Sequence, residues 1–196
     1  MSDAKSMLKL GLVLALYAAA SCTVLAVVNH FTAPKIEKDR IEKANQMLRE
    51  LFPEADDFVQ VKDFEFNSKQ IKINSVYMAY SDGKVTGGAV QLTGPTYDQA
   101  TVITGISLDG TVKGLKFLEL SDSPGFGQKA KDPKFTVASG KTFYGQFEGM
   151  KAQDGFTVNQ TFDGISGATI TSRGAGDLVS SACNLLLTYF EEHDYE

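Results

Sequence analysis

The chain has 196 residues, of which 43% are apolar and 22% are charged, as in folded globular proteins and unlike disordered ones. Its formal net charge is −5, and it has no basic region of the kind that binds nucleic acid, which excludes nucleic acid as a partner. Two cysteines and two histidines, without neighbours at ligand spacing, give no metal cluster.

The first predicted element is an apolar helix near the N-terminus. Residues 10–28 (LGLVLALYAAASCTVLAVV) carry no charged side chain, and a helix of about 20 apolar residues crosses the core of a lipid bilayer. A cleaved signal peptide is the alternative, because the alanines at 18–20 are of the type found at cleavage sites. The apolar segment continues past Cys22, which favours an uncleaved anchor. We therefore expect a short tail at 1–9 and a transmembrane helix at 10–30.

The charges beside this span leave its orientation open. Two lysines precede the span, and four basic residues follow it within residues 35–43. A count of positive charges places the C-terminal side in the cytoplasm, but that rule weakens for long translocated domains. The later basic residues also alternate with acidic ones.

The remaining pattern predicts an α+β domain. A juxtamembrane helix is expected at 31–52, because an apolar stripe follows Pro34 and stops at Pro53. Two β-hairpins are predicted around the Asp-Gly pairs at 82–83 and 109–110. A short helix is expected over 132–140 and a final amphipathic helix from about Ser172. The fold class is therefore one transmembrane helix followed by a small domain, residues 53–196, with an antiparallel sheet flanked by helices.

The stretch DGISGATITS, residues 163–172, places small residues and hydroxyls directly before the last predicted helix. One interpretation is a tight turn with Thr171 or Ser172 as the N-cap residue of that helix. Small residues also leave space at a helix N-terminus, where free N–H groups favour a phosphate. Ser166, Thr169 and Thr171 would then place hydroxyls beside the phosphate. The spacing alone selects none of these hydroxyls as an attachment point.

Three other motif matches are excluded. Residues 125–130 match a dinucleotide-binding fingerprint, but prolines on both sides leave no strand before it and no long helix after it. Residues 139–142 resemble a phosphate loop, but Phe135 stands where the first glycine is needed. Residues 164–168 resemble a hydrolase nucleophile turn, but the last residue is alanine and no histidine is placed as a base.

DGISGATITS resembles the covalent flavin-attachment motif of the FMN-binding domain family, in which S/T-G-A-T carries FMN as a phosphoester on its last threonine. The resemblance implies covalent FMN on Thr169. A second segment, LELSDSPGFGQK at 118–129, is similar to the family loop L-x-H-x-E-T-P-G-L-G-x-K, which lies near the flavin ring. Leu120 replaces the family histidine, and the family's Gly-Tyr-Gly-Gly segment appears only as GPTYD at 94–98. The resemblance assigns no catalytic residue and no metal ligand, and it assigns cofactor binding to Asp163, Ser166, Gly167, Ala168, Thr171, Ser172, Asp122, Ser123, Pro124, Gly125, Phe126, Gly127, Lys129 and Tyr97.

The order of the parts resembles the G subunits of Rnf ion-translocating electron transport complexes: one span, TAPKI at 32–36, a helix, LFP at 51–53 and a flavin domain. The homologous C subunit of the sodium-translocating NADH:quinone reductase shares this plan but is usually longer. The resemblance implies an electron-carrier subunit that is not catalytic alone, in a complex that moves electrons between ferredoxin and NAD while Na⁺ or H⁺ is pumped. Because residues 10–28 carry no charge, this chain is not expected to be the ion channel.

The same resemblance implies a location and partners. Residues 1–9 would be a cytoplasmic tail, and the domain at 53–196 would be extracytoplasmic, held by a single pass through the inner (cytoplasmic) membrane. Expected partners are the lipid bilayer, other membrane subunits of the complex, and a flavin transferase that uses FAD and Mg²⁺. The alternatives are a stand-alone membrane-anchored flavoprotein serving another reductase and a module that binds its ligand non-covalently.

Overall fold

The computed structural model describes residues 2–61, 64 and 70–195. The chain forms two compact units, Met1–Lys43 and Ala44–Glu196. Helix α1, Ser2–Leu51, belongs to the first unit up to Lys43 and to the second unit from Ala44 onward. An 18-residue window of α1 has a mean hydropathy of 2.2 and none of it is buried. By length and composition, α1 is a helix that can cross a membrane.

Helix α1 is uninterrupted, whereas the sequence predicts a separate juxtamembrane helix at 31–52. Pro34 lies inside α1. A proline removes one backbone hydrogen bond of a helix. In α1 the residues before and after Pro34 remain helical, so the loss of this one bond does not end the helix. The expected boundary between a transmembrane and a juxtamembrane helix is therefore not a break in the helix. The C-terminal limit agrees with the prediction, because α1 ends at Leu51, two residues before Pro53.

The second unit contains an antiparallel five-stranded sheet in the order of the sequence. Both predicted hairpins are confirmed. Asp82 and Gly83 have φ values of 51° and 74°, the left-handed conformation that the tightest hairpin turns require. The strands are β1 (Asp57–Val61), β2 (Lys72–Ser81), β3 (Lys84–Pro95), β4 (Gln99–Ser107) and β5 (Val112–Leu120).

Strand β1 is absent from the sequence prediction. It has five residues, and its burial pattern shows no fully buried position. A short edge strand of this kind lacks the apolar alternation from which strands are inferred. It forms because every one of its residues pairs with β2.

Helices cover the two faces of the sheet. Leu48 and Leu51, in the last turn of α1, and Phe52, directly after it, are buried on one face together with Ile103 and Leu118. Helix α2, Thr169–Glu192, packs on the other face. Its buried apolar residues recur at helical spacing and include Ala175, Leu178, Val179, Ala182 and Leu186. The α+β fold class is confirmed.

Two helix predictions are wrong in detail. Helix α2 begins at Thr169 rather than Ser172, and its N-cap residue is Ala168, without a side-chain cap. The helix expected at 132–140 does not form. There Thr136 pairs with Thr142, and the Val137 N–H donates to the Lys141 oxygen at 2.9 Å, so the chain turns back on itself instead of continuing as a helix. A short 3₁₀ helix, Gly127–Lys131, lies before it instead.

Candidate functional site

Asp122 lies at the centre of the predicted flavin site and is only 1% exposed. Its carboxylate accepts hydrogen bonds from the hydroxyls of Thr171 at 2.5 Å and Thr96 at 2.6 Å. The backbone N–H groups of Asp98, at 2.9 Å, and Tyr97, at 3.3 Å, donate to the same carboxylate. One side chain therefore joins the β3–β4 turn, the loop after β5 and the first turn of α2.

The environment of Asp122 keeps it charged. Burial pushes the pKa of this carboxyl upward, but hydrogen bonds from Thr171, Thr96 and two backbone N–H groups outweigh burial, so the pKa lies below its ordinary value. An ionised carboxylate accepts several hydrogen bonds and donates none. All four donors of this cluster are thus satisfied by one anion.

Two glycines let the three segments approach each other closely. A Cβ atom on Gly127 would lie 2.5 Å from Asp122 Cβ and 2.6 Å from Thr171 Oγ1. A Cβ atom on Gly174, inside α2, would lie 2.5 Å from the backbone oxygen of Pro95. Gly127 was among the predicted residues, whereas Gly174 was not, because an isolated glycine in a helix gives no indication of what it contacts.

Residues 163–169, which we call the acceptor stretch, begin at Asp163, and Asp163 is held by a side chain that lies outside both motifs. Gln146 is 8% exposed; its Oε1 accepts the N–H of Asp163 at 2.7 Å and its Nε2 donates to the oxygen of Asp163 at 3.0 Å. Phe147 and Phe162 pack with ring centroids 4.8 Å apart beside this pair. The Asp163 carboxylate in turn accepts the N–H of Ser139 at 2.7 Å. The partner of the Asp163 carboxylate in the structure is thus the backbone of the loop that contains Ser139.

The rest of the acceptor stretch is fixed from its buried side. Asn159 Oδ1 accepts the N–H of Gly164 at 2.9 Å. The Ser172 hydroxyl accepts the N–H of Ile165 at 2.9 Å and donates to the oxygen of Ala168 at 3.0 Å. Thr171 and Ser172 do not cap α2, because both lie inside the helix, which begins at Thr169.

The outer side of the same stretch is open. Ser166, Gly167 and Thr169 are exposed, and Thr169 is the first residue of α2. No partner of the Thr169 hydroxyl is found within residues 2–61, 64 and 70–195. With no side-chain cap and no acidic residue in the first turn, the first N–H groups of α2 are available to an anion.

Exposed apolar side chains occur on the same three segments, the β3–β4 turn, the loop after β5 and the first turn of α2. Tyr97 is 66% exposed, and Phe126 and Ile170 are each 56% exposed. Val59 is the one other large exposed apolar residue in the described part of the second unit. A Cβ atom on Gly167 would lie 3.2 Å from the Phe126 ring, so this ring flanks the acceptor stretch. Aromatic and aliphatic surface beside an anion site fits a molecule with a flat ring and a phosphate.

The other predicted residues lie in the loop after β5. Ser123, Pro124 and Gly125 are exposed, and Lys129 is half-buried with its Nζ 5.3 Å from the Phe135 ring centroid. Leu120, at the position of the family histidine, is 5% exposed and belongs to the apolar core. The structure thus brings both motifs to one surface. At position 120 it has a buried apolar side chain where the family has a histidine.

A separate cleft of about 540 Å³ lies between the end of α1, the β4–β5 hairpin and residues 144–149. Its lining includes Glu50, Lys113, Lys116 and Tyr144. None of the predicted flavin-site residues contributes to it. The candidate site is therefore an open surface around Thr169 and not this cleft.

Comparisons with known proteins agree with both resemblances. Residues 97–184 match the FMN-binding domain family, and residues 1–51 match the RnfG N-terminal region. The G subunit of the Na⁺-translocating ferredoxin:NAD⁺ oxidoreductase complex of Acetobacterium woodii is 32% identical to the chain, over 96% of this chain and 94% of that protein. The chain belongs to the family of G subunits of ion-translocating oxidoreductase complexes.

Other members of this G-subunit family are more distant. The G subunit of the ion-translocating oxidoreductase complex of Vibrio vulnificus is 28% identical, over 94% of this chain and 91% of that protein. The corresponding protein of Methanosarcina acetivorans is also 28% identical, over 93% of this chain and 95% of that protein. The FMN-binding match includes Tyr97, Asp122, Thr169 and Thr171, so the open hydroxyl and all of the hydrogen-bonded cluster except Thr96 lie within it.

Proposed function

We propose that this chain is an electron-carrier subunit of an ion-translocating ferredoxin:NAD oxidoreductase complex of the Rnf type, with FMN joined to Thr169 by a phosphoester. The observation that carries the proposal is the exposed hydroxyl of Thr169 on an uncapped first turn of α2, within residues that match an FMN-binding domain. The names of the relatives, each a G subunit of an ion-translocating complex, support the role in electron transfer.

The attachment step requires a flavin transferase. The bond that forms joins Thr169 Oγ to the FMN phosphorus of FAD, and the bond that breaks is the anhydride, so AMP leaves and the hydroxyl proton passes to a base on the transferase. A threonine hydroxyl is a weak nucleophile without such a base. No carboxylate or imidazole of the described residues is bonded to the Thr169 hydroxyl, which supports an external enzyme with Mg²⁺.

The residues around Thr169 have separable roles in this proposal. The first N–H groups of α2 bind the phosphodiester, which carries one negative charge. Tyr97, Phe126 and Ile170 supply apolar surface to the ring. Asp122 holds the segments that present these groups. FMN supplies the electron chemistry, and the covalent bond keeps it at high effective concentration beside its redox neighbours.

We further propose a single-pass protein of the inner membrane, with a cytoplasmic tail at 1–9, a span at 10–30, a juxtamembrane segment at 31–52 and an extracytoplasmic domain at 53–196. Side chains of the span such as Leu14 and Leu25 are exposed, as contact with lipid requires. The span has no ionisable residue between 10 and 28, and ion pathways through membranes use such residues. The ion pathway therefore belongs to other subunits.

Labelling of intact cells tests this orientation. A membrane-impermeant maleimide should react with Lys141→Cys in intact cells, and with Ser6→Cys only after the membrane is disrupted; both positions are exposed. Cys22 and Cys183 are replaced by alanine in both variants. The opposite labelling pattern would place the domain in the cytoplasm and remove this part of the proposal.

The attachment site is tested by coexpression with a flavin transferase and electrophoresis under denaturing conditions. Flavin fluorescence should remain with the wild-type band and with Thr188→Ala, an exposed threonine of α2 outside both motifs, and should be absent from Thr169→Ala. A fluorescent Thr169→Ala band would exclude this attachment site. Copurification with polytopic membrane subunits tests the role in a complex; a flavinylated chain that is isolated and active alone would favour a stand-alone flavoprotein.

A further inference from the structure

We propose that Arg173 binds the phosphodiester between FMN and Thr169, so that its guanidinium and the first turn of α2 hold the phosphate together. The inference rests on the proposed attachment at Thr169. Arg173 directly follows the attachment motif and belongs to neither motif.

The position of Arg173 on α2 places it beside the attachment point. Thr169, Ile170, Arg173 and Asp177 are exposed, while residues 171–172 and 174–176 are buried. Residues four apart on a helix are neighbours on one face, with Cβ atoms about 5–6 Å apart. Thr169 and Arg173 therefore share the solvent face of the first two turns of α2.

The direction of helical side chains decides which neighbour Arg173 reaches. Each Cα–Cβ bond in a helix is tilted toward the N-terminus, so a long side chain covers the turn before its own Cα atom. For Arg173 that turn contains Thr169. Asp177 lies one turn in the other direction, and a base placed before an acid is the less favourable order on a helix. Within the described residues, Arg173 has no ion pair or hydrogen bond.

The chemistry of the two groups is complementary. The guanidinium is planar and always charged, and it donates two parallel hydrogen bonds to phosphate oxygens. A phosphodiester on Thr169 has two unesterified oxygens and one negative charge. The first turn of α2 contains no acidic residue, so no carboxylate on this turn competes for Arg173. Binding at this point restricts rotation about the bonds between Thr169 and the flavin.

The test compares flavinylated and unmodified forms of wild type, Arg173→Gln and Arg173→Lys, produced with and without a coexpressed flavin transferase. Attachment of flavin should stabilise the fold and so lower the unfolding equilibrium constant. We call the factor of this decrease the gain, and the gain should be about threefold smaller in Arg173→Gln than in wild type. Arg173→Lys should fall between them. The difference in gain between wild type and Arg173→Gln should become smaller at high salt, because the interactions of exposed charges are screened. The ³¹P NMR shift of the phosphodiester should also change in Arg173→Gln.

Two matched variants make the result specific. Lys131→Gln removes the same charge from an exposed position in the neighbouring 3₁₀ helix, and Asp177→Asn removes the alternative partner; neither should alter the gain or the ³¹P shift. Equal gains and shifts in wild type and Arg173→Gln would overturn the proposal. So would a Lys131→Gln effect as large as that of Arg173→Gln. If the wild type never acquires a ³¹P signal, the attachment at Thr169 fails and this inference fails with it, whereas the other outcomes concern Arg173 alone.

Discussion

The Thr171 hydroxyl donates a 2.5 Å hydrogen bond to the carboxylate of Asp122, 49 positions earlier in the chain. This bond ties the first turn of α2 to the loop after β5, and the bond from Thr96 ties the β3–β4 turn to the same carboxylate. The surface around Thr169 is therefore built on one buried anion. Loss of the charge or of the hydrogen-bonding geometry of Asp122 should loosen the β3–β4 turn, the loop after β5 and the first turn of α2 together.

Asp122→Asn should destabilise the domain. The amide has nearly the shape of the carboxylate, but its NH₂ group faces donors, so at least one of the donors loses its acceptor. A buried donor left unsatisfied costs about 1–3 kcal/mol, and urea unfolding should show a decrease of this size in the free energy of unfolding. Asp132→Asn is the control, because its amide oxygen still accepts the Lys134 N–H; its effect should stay below about 0.5 kcal/mol. Equal losses in both variants would contradict the role of Asp122.

The contribution of Asp122 to stability should depend on pH. Its pKa is lower in the folded protein than the value of about 3.9 expected for the unfolded chain. A lowered folded pKa stabilises the fold above the unfolded pKa, and this stability is lost as the pH falls through the folded pKa. The difference in the free energy of unfolding between wild type and Asp122→Asn should thus be constant near neutral pH and should narrow below about pH 4. A difference that widens in acid would show that the pKa is raised instead.

Gly174→Ala should reverse the usual effect of alanine in a helix. Helix propensity alone favours alanine over glycine by about 1 kcal/mol. Here the added Cβ would lie 2.5 Å from the backbone oxygen of Pro95, and overpacking of this kind costs about 1–3 kcal/mol. We expect a net loss of stability and a lower yield of flavin attachment. Asp177→Ala, on the exposed face of α2, should be neutral or stabilising, and a stabilised Gly174→Ala would mean that α2 does not approach the β3–β4 turn this closely.

Gln146→Leu should loosen the start of the acceptor stretch. Leucine leaves the N–H and the oxygen of Asp163 without the partners that Gln146 supplies. The Asp163 amide should then exchange its hydrogen faster than in wild type, and the KM of the flavin transferase for the domain should rise more than kcat falls. Gln99→Leu, at an exposed position, should change neither quantity. An unchanged rate of amide hydrogen exchange at Asp163 in Gln146→Leu would contradict the role of Gln146 in holding Asp163.

The sequence predicts local features of this fold well and tertiary ones poorly. The Asp-Gly turns are set by residues next to each other, so both hairpins are confirmed. By contrast, Thr171 and Ser172 are good N-cap residues by local preference, yet their hydroxyls bond to Asp122 and to the acceptor stretch, and α2 starts earlier. Asp132 and Pro133 are likewise typical of a helix start, but the residues after them pair across a turn, Thr136 with Thr142, and the expected short helix does not form.

The candidate site shows the same division. The two motifs placed Thr169 and Asp122 in the site, but their spacing could not reveal that Asp122 binds Thr96 and Thr171. Gln146 and Gly174 belong to no motif, and their roles follow from contacts made by the folded chain. Such contacts between distant residues leave no periodic pattern in the sequence.

The central claim, a phosphoester between FMN and Thr169, is tested most directly by the intact mass of the protein isolated from membranes that contain a flavin transferase. The wild type should exceed the mass of its polypeptide by FMN less one water, and Thr169→Ala from the same membranes should have the polypeptide mass. A wild-type protein with the mass of its polypeptide alone, or a Thr169→Ala protein with the added mass of the flavin, would contradict the claim.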